Sequence, residues 1–223
     1  AFVEAGAKVL GVSVVPSTAT QEMLGKENFE FIQADLSTLD PIDNIVKTAV
    51  DTFGHVDILV NNAGVIKRED TIDFSVESWD LVMNVNLRTL FFLSQAVAKQ
   101  YMKQGTGGKI ISVASMLSYQ GGIRVPSYTA SKSGVKGITM TMANEWASKG
   151  INVNAIAPGY MATNNTKALR ADADRSEAIL DRIPAGRWGT PDDIMGAAVF
   201  LASSASDYIN GFTIAVDGGW LGR

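Results

Sequence analysis

Short apolar, β-branched runs alternate with longer helical stretches along these 223 residues, and that alternation constrains the fold most. The runs are Lys8 to Val15, Phe29 to Ala34, Val56 to Val60, Lys109 to Val113, Ile151 to Ile156 and Phe212 to Val216. They are apolar throughout rather than at every second position. A strand that is apolar on both faces must be covered on both, as in a parallel sheet with helices on either side. Between the runs, Asp40-Pro41 opens a helix to about Phe53, with Pro41 in its first turn. A long stretch from Val76 to Gln104 carries Trp79, Leu81, Val82, Val85, Leu90 and Leu93 at helical spacing. Further helices run from Tyr128 to about Ser148 and from Pro191 to about Leu201. The expected fold is therefore α/β: a Rossmann-like, doubly wound parallel sheet with helices on both faces, in a single domain spanning 1–223. A hydrophobic content of 46% is enough for one sizeable core. Such a fold should open with a strand, a glycine-rich turn and a helix. Ala1 to Gly6 reads as the end of that helix, so the chain reads as starting just past the turn.

Composition narrows the chemistry. There are no cysteines, which removes disulfide scaffolds and thiolate metal sites and suits a cytoplasmic protein. The one histidine, His55, follows Gly54 at a helix exit and reads as a cap or loop residue. It leaves little scope for a histidine metal site or a Ser-His-Asp hydrolase, so no metal is expected. A net charge of −4 gives no footprint for nucleic acid. No apolar run approaches the ~20 residues of a membrane span, and no signal peptide is evident at the start.

In Ser127-Tyr128-Thr129-Ala130-Ser131-Lys132, Tyr128 and Lys132 stand four apart, on one face of a helix. A free tyrosine has a pKa of about 10 and is a poor acid or base at neutral pH. A fixed cation beside it favours the phenolate and brings that value toward the working range. Ser115, a short distance upstream, can hold a substrate oxygen while Tyr128 moves a proton. Such equipment interconverts an alcohol and a carbonyl when a hydride carrier lies alongside. The pattern alone is weak, since a half-buried tyrosine beside a solvated lysine looks the same. Its weight comes from position: Asp35, Asn61 to Gly64, Ser115 and Pro158-Gly159 all follow strands, at the edge where such sheets bind ligands.

With these pieces placed, the sequence resembles the short-chain dehydrogenase/reductase family over essentially its whole length. The resemblance assigns Asn61-Asn62-Ala63-Gly64 to the central sheet and the adenosine side of a dinucleotide site, chiefly through Asn62, Ala63 and Gly64. It matches Asn86 to an asparagine that supports a water-linked proton relay. Ser115, Tyr128 and Lys132 match the catalytic serine, tyrosine and lysine, with Lys132 also holding the nicotinamide ribose. Pro158-Gly159 and Thr163 match the nicotinamide carboxamide motif, and Asp35, with Leu36 beside it, the adenine contact. Longer stretches, among them Ile66 to Asp70, Ala114 to Gly134 and Asn152 to Thr166, resemble a sugar-acid group within that family, the 2-deoxy-D-gluconate 3-dehydrogenases. Members of that group are also described as 2-dehydro-3-deoxy-D-gluconate 5-dehydrogenases.

The resemblance implies a hydride transfer between a nicotinamide dinucleotide and a sugar acid. At Ser13, where many NAD-linked relatives carry an acid, neither an acid nor an arginine is present. The lack of a cation favours NAD over NADP. Arg124 is the first candidate for the substrate carboxylate, with Lys67 and Arg68 second, and residues 161–181 read as a mobile lid. Rivals within the family are gluconate 5-dehydrogenase, an acyl-carrier ketoreductase and a hydroxysteroid-type enzyme. A rival of another class is a non-catalytic dinucleotide sensor. Phe91 and Phe92 cannot share one inward stripe, and Met140, Met142, Trp146 and Trp220 suggest further apolar surface. Together with the resemblance, they lead to the expectation of a homotetramer.

Overall fold

The computed structural model describes all of residues 1–223. Six parallel strands form its centre: β1 Val9–Ser13, β2 Phe29–Gln33, β3 Ile58–Asn61, β4 Gly108–Val113, β5 Ile151–Pro158 and β6 Thr213–Val216. The main helices are α1 Thr18–Leu24, α2 Ile42–Phe53, α3 Val76–Met83, α4 Leu90–Gln104, α5 Pro126–Trp146, α6 Lys167–Ala171, α7 Ala173–Leu180 and α8 Asp192–Ala202. The strands hydrogen-bond in two groups, β1-β2 and β3-β4-β5-β6, rather than as one continuous ladder. Packing joins the groups: Val12, Ile32 and Leu59 rest against the same core cluster. Ala1 to Ala7 do carry the hydrogen bonds of a helix C-terminus, with Gly6 at φ 91° as its left-handed cap.

Alternate residues of the strands explain why the runs are apolar on both sides. Ile110, Ile151 and Val153 enter the larger cluster with Ala98 and Tyr101 of α4 and Met142 of α5. Ile111 and Ile156 point the other way, against Leu201 of α8. Burying each such branched side chain contributes about 1.5–3 kcal/mol, so a polar residue on either face would be costly.

The stretch expected as one long helix is interrupted. Residues Asn84–Thr89 form a π-helical segment between α3 and α4. The buried Asn86 amide explains the wider turn: it donates to the Val65 carbonyl (2.9 Å) and the Ser131 hydroxyl (3.2 Å), and accepts from the Val65 amide (2.8 Å). The combined helix, Val76–Gln104, does have the length and hydropathy of a membrane span, contrary to the sequence reading. It is a core helix: half of its most apolar window is buried, against strands β3 and β4 and helix α2.

Candidate active site

Parallel pairing places every strand's carboxyl end at one edge. Asn61 lies opposite Ser112, Val113 opposite Ile156 and Pro158 opposite Val216. The segments that follow therefore emerge side by side, and they carry the residues singled out from the sequence. Asn61 itself is buried and structural, its amide donating to Ser94 (2.9 Å) and Ser112 (3.3 Å). Asn62, Ala63 and Gly64 are exposed.

Gly64 is where the pieces meet. A methyl group there would lie 3.5 Å from Asn86 Oδ1 and 3.7 Å from Lys132 Nζ. The chain thus passes bare backbone between the π segment and α5. Lys132 is almost fully buried and donates to the Val113 carbonyl at 2.5 Å. Burial lowers its pKa to about 8. Its Nζ is 5.7 Å from the centre of the Tyr128 ring.

Ser115 begins the short turn Met116–Ser118 and accepts from the Leu117 amide (3.1 Å). The Ser118 hydroxyl accepts from the Ser115 amide and donates to the Lys132 carbonyl (2.6 Å), tying the turn to α5. The Ser115 hydroxyl lies alongside the phenol of Tyr128. Burial raises the Tyr128 pKa, while Ser115 and the charge of Arg68 act in the opposite direction without overcoming it. The sequence reading, in which Lys132 lowers the phenol's pKa, is therefore corrected. The two residues do share a helix face, and the ammonium gives one of its three hydrogens to Val113 O, but burial outweighs any lowering and the net shift of the phenol is upward.

At the far end of the sheet, Gly159 comes so close to Asp217 that a side-chain carbon would sit 2.5 Å from its Cα. Only glycine allows that approach, which keeps Pro158-Gly159 flush with the strand end. Thr163 caps the Asn164–Thr166 turn. Asp35 is exposed and accepts from the Ser37 amide (2.8 Å), which lowers its pKa. Leu36 packs against the core. Ser13 ends β1 with its hydroxyl accepting from the Val15 amide (3.2 Å).

The three candidate cations separate. Arg124 is paired: its Nε is 2.8 Å from Asp70, and its φ of 64° is the one left-handed backbone angle outside glycine. Arg68 lies nearer the centre. It donates to the Asn165 carbonyl (3.0 Å), and its charge reaches Tyr128. Lys67 is exposed; the pKa of nearby Glu69 is lowered chiefly by its bonds from Ser78 and Ser75, with Lys67 contributing least.

A parallel αβα sheet whose carboxyl edge carries a serine, tyrosine, lysine and asparagine in this order defines a class. The chain belongs to the short-chain dehydrogenase/reductase family, and it is an oxidoreductase acting on CH–OH donors. The family model described as enoyl-(acyl carrier protein) reductase matches residues 1–221. The chain is 64% identical over 223 residues to the 2-dehydro-3-deoxy-D-gluconate 5-dehydrogenase of Escherichia coli K12, covering 99% of this chain and 88% of that one. A candidate 2-deoxy-D-gluconate 3-dehydrogenase from Agrobacterium tumefaciens, solved with NADP, superposes with a TM-score of 0.90 at 55% identity, covering 98% and 88% of the two chains. A gluconate 5-dehydrogenase from Burkholderia cenocepacia, solved with NADP and tartrate, gives 0.93 at 36% identity, covering 99% and 88%.

Proposed function

We propose that this protein transfers a hydride between a nicotinamide dinucleotide and a hydroxyl or keto group of a sugar acid of the 2-dehydro-3-deoxy-D-gluconate type. The observation that carries the reading is a connected set at the sheet's carboxyl edge: Asn86 and Lys132 meet at Gly64, the Lys132 ammonium lies by the Tyr128 ring, and the Ser115 hydroxyl pairs with the Tyr128 phenol. The names of the relatives supply the substrate class.

Asp35, Leu36, Asn62, Ala63 and Gly64 are suited to the adenosine half of a dinucleotide, and Pro158, Gly159 and Thr163 to the nicotinamide half. The backbone at Asn62 to Gly64 is exposed at the strand end, and Gly159, pressed against Asp217, keeps the neighbouring strand end flush. When bound, the dinucleotide supplies a hydride donor or acceptor. The protein's own residues manage the proton. In oxidation, Ser115 holds the substrate hydroxyl and Tyr128 takes its proton; in reduction, Tyr128 returns it. Lys132, held at Val113, sets positive charge beneath the phenol and is placed to bind a ribose hydroxyl. Asn86, fixed by Val65, keeps the relay end of the site polar.

Ser13 to Val15 offer neither a carboxylate for a ribose 2′-hydroxyl nor an arginine for a 2′-phosphate. The second absence led to the expectation of NAD, but solved relatives hold NADP. The proposal is accordingly a nicotinamide dinucleotide, with NAD(H) preferred and NADP(H) accepted.

Among the candidate substrate cations, Arg68 is favoured over Arg124. Arg68 is the better reader of the carboxylate, because its charge is felt at Tyr128 while Arg124 is engaged with Asp70. Absorbance at the reduced-nicotinamide band, with both coenzymes and with sugar acids, acyl thioesters and steroids, tests the function. Turnover confined to acyl thioesters or steroids would overturn it. Arg68→Ala should raise KM for the sugar acid at least tenfold and for the matching neutral sugar by less than about threefold. Equal effects on the two would assign Arg68 a structural role.

A further inference from the structure

Trp220, three residues from the end of the chain, is 4% exposed. Its indole Nε1 donates to the Gln120 side-chain oxygen at 3.1 Å. Gln120 follows directly on the Ser115 turn, and its own amide returns to the Met116 carbonyl (3.2 Å). On its other sides the indole meets the root of the 161–181 segment. The Arg182 guanidinium lies 4.1 Å from the indole centre, and the Tyr160 ring stands edge-on at 4.8 Å. Met116, Ile179 and Ile183 complete one buried cluster with Trp220. Asp217 holds the tail in place by accepting from the amides of Gly219 and Leu221 (2.9 Å each).

One residue therefore touches three things that share no ladder: the turn bearing Ser115, the strand-end segment at Tyr160, and the end of α7. We propose that Trp220 is a positioning residue for the reaction. Through the Gln120 hydrogen bond and its packing, it sets the Ser115 turn against the base of the 161–181 segment, so that the serine hydroxyl is held beside Tyr128 only while that base is packed. The indole N–H is buried while Gln120 is half-buried, so separating them strands the donor, which finds no water in the cluster around Trp220. That cost makes the turn and the segment move together rather than independently. The inference rests on the hydride-transfer reading only for its assay; the coupling itself is a property of the chain.

The test is a double-mutant cycle with Trp220→Phe and Gln120→Leu. Each keeps a side chain of similar bulk and removes one end of the hydrogen bond. Each single variant should lower kcat by about five- to twentyfold with KM for the dinucleotide changed less than twofold. The double variant should lose no more than the worse single, because both remove the same link. Amide exchange in residues 164–181 should accelerate in both single variants, a readout that needs no substrate. Additive losses, unchanged kcat in Gln120→Leu, or unaltered exchange in that segment would overturn the proposal. If Trp220→Phe does not fold, Gln120→Leu alone decides it through kcat and exchange. Absence of any turnover in the wild-type chain, with exchange still accelerated in the variants, would fault the functional reading and leave the coupling standing.

Discussion

At the scale of single residues, the phenol of Tyr128 and the ammonium of Lys132 respond to burial in opposite directions, one pKa rising and the other falling. Both shifts have the same cause, since a low-dielectric site disfavours whichever form is charged. Tyr128→Phe removes only the hydroxyl from a ring that stays packed. It should reduce turnover at least a thousandfold while leaving dinucleotide affinity, measured by fluorescence titration, within about threefold. Near-normal activity would remove Tyr128 from the acid/base role. For Lys132 the consequence appears in stability. Between about pH 8 and the ordinary lysine value of 10.5, the unfolded chain binds the proton more readily than the folded one. Stability therefore gains from this group as pH rises through that window, and below it the burial cost is fully present. Lys132→Met should be the more stable protein at pH 7, and its Tm advantage should shrink steadily toward pH 10. An advantage independent of pH would mean that the buried amine does not titrate there.

At the scale of elements, the π segment between α3 and α4 matters most. A regular α-helix through residues 84–89 would carry Asn86 on a different bearing, away from Val65. The wider turn lets one side chain replace a strand partner for Val65, receiving its N–H and donating to its C=O. Asn86→Ala would leave both Val65 groups and the Ser131 hydroxyl without that partner in a buried place. The expected cost is about 2–3 kcal/mol of stability, with faster amide exchange at Val65 and a lower kcat. Denaturant unfolding checks the first, and a loss under 0.5 kcal/mol would show that water replaces the amide without penalty. The turn after β4 is organised in the same way. Ser118 joins the amide of Ser115 to the carbonyl of Lys132, so that two catalytic candidates from different elements share one hydroxyl.

At the scale of the whole molecule, the apolar residues expected at subunit contacts divide. Trp220 and Met142 are buried within their own chain, which corrects the expectation that they add exposed surface. Val76, Trp79, Phe92 and Met140 do remain exposed, at 68%, 39%, 37% and 46%. Phe91 packs against the core while Phe92, edge-on to it at 5.2 Å, does not. Exposed apolar residues on adjoining helices suit self-association, and closed symmetric assemblies are the common result. The homotetramer thus stands as a proposal on fewer residues than first expected. Light scattering at micromolar concentration should give four times the 23.8 kDa chain mass. Phe92→Glu should shift that mass downward without unfolding the chain, and a monomeric wild-type mass would end the idea.

The parallel αβα layering was legible in the chain because strands buried on both faces must be apolar at successive positions, as Ile110 and Ile111 are. Tyr128, Lys132 and Ser115 could be proposed from their spacing along a helix and after a strand, which is local information, whereas Asn86 was singled out by the family resemblance alone. The split of the strands into two hydrogen-bonded groups was not, nor was the π turn at Asn86, because each depends on partners distant in sequence. The same holds for the cations. In the sequence, Arg124, Lys67 and Arg68 are three basic residues near one loop or another; folding pairs Arg124 with Asp70, bonds Arg68 to the Asn165 carbonyl and brings its charge within reach of Tyr128. It holds again for Trp220, which reads as an exposed tail residue until Gln120, a hundred positions away, takes its N–H. Periodicity and spacing record what neighbouring residues along the chain must do. Which charge meets which, and which donor finds which acceptor, is settled only when distant segments close on one another and exclude water.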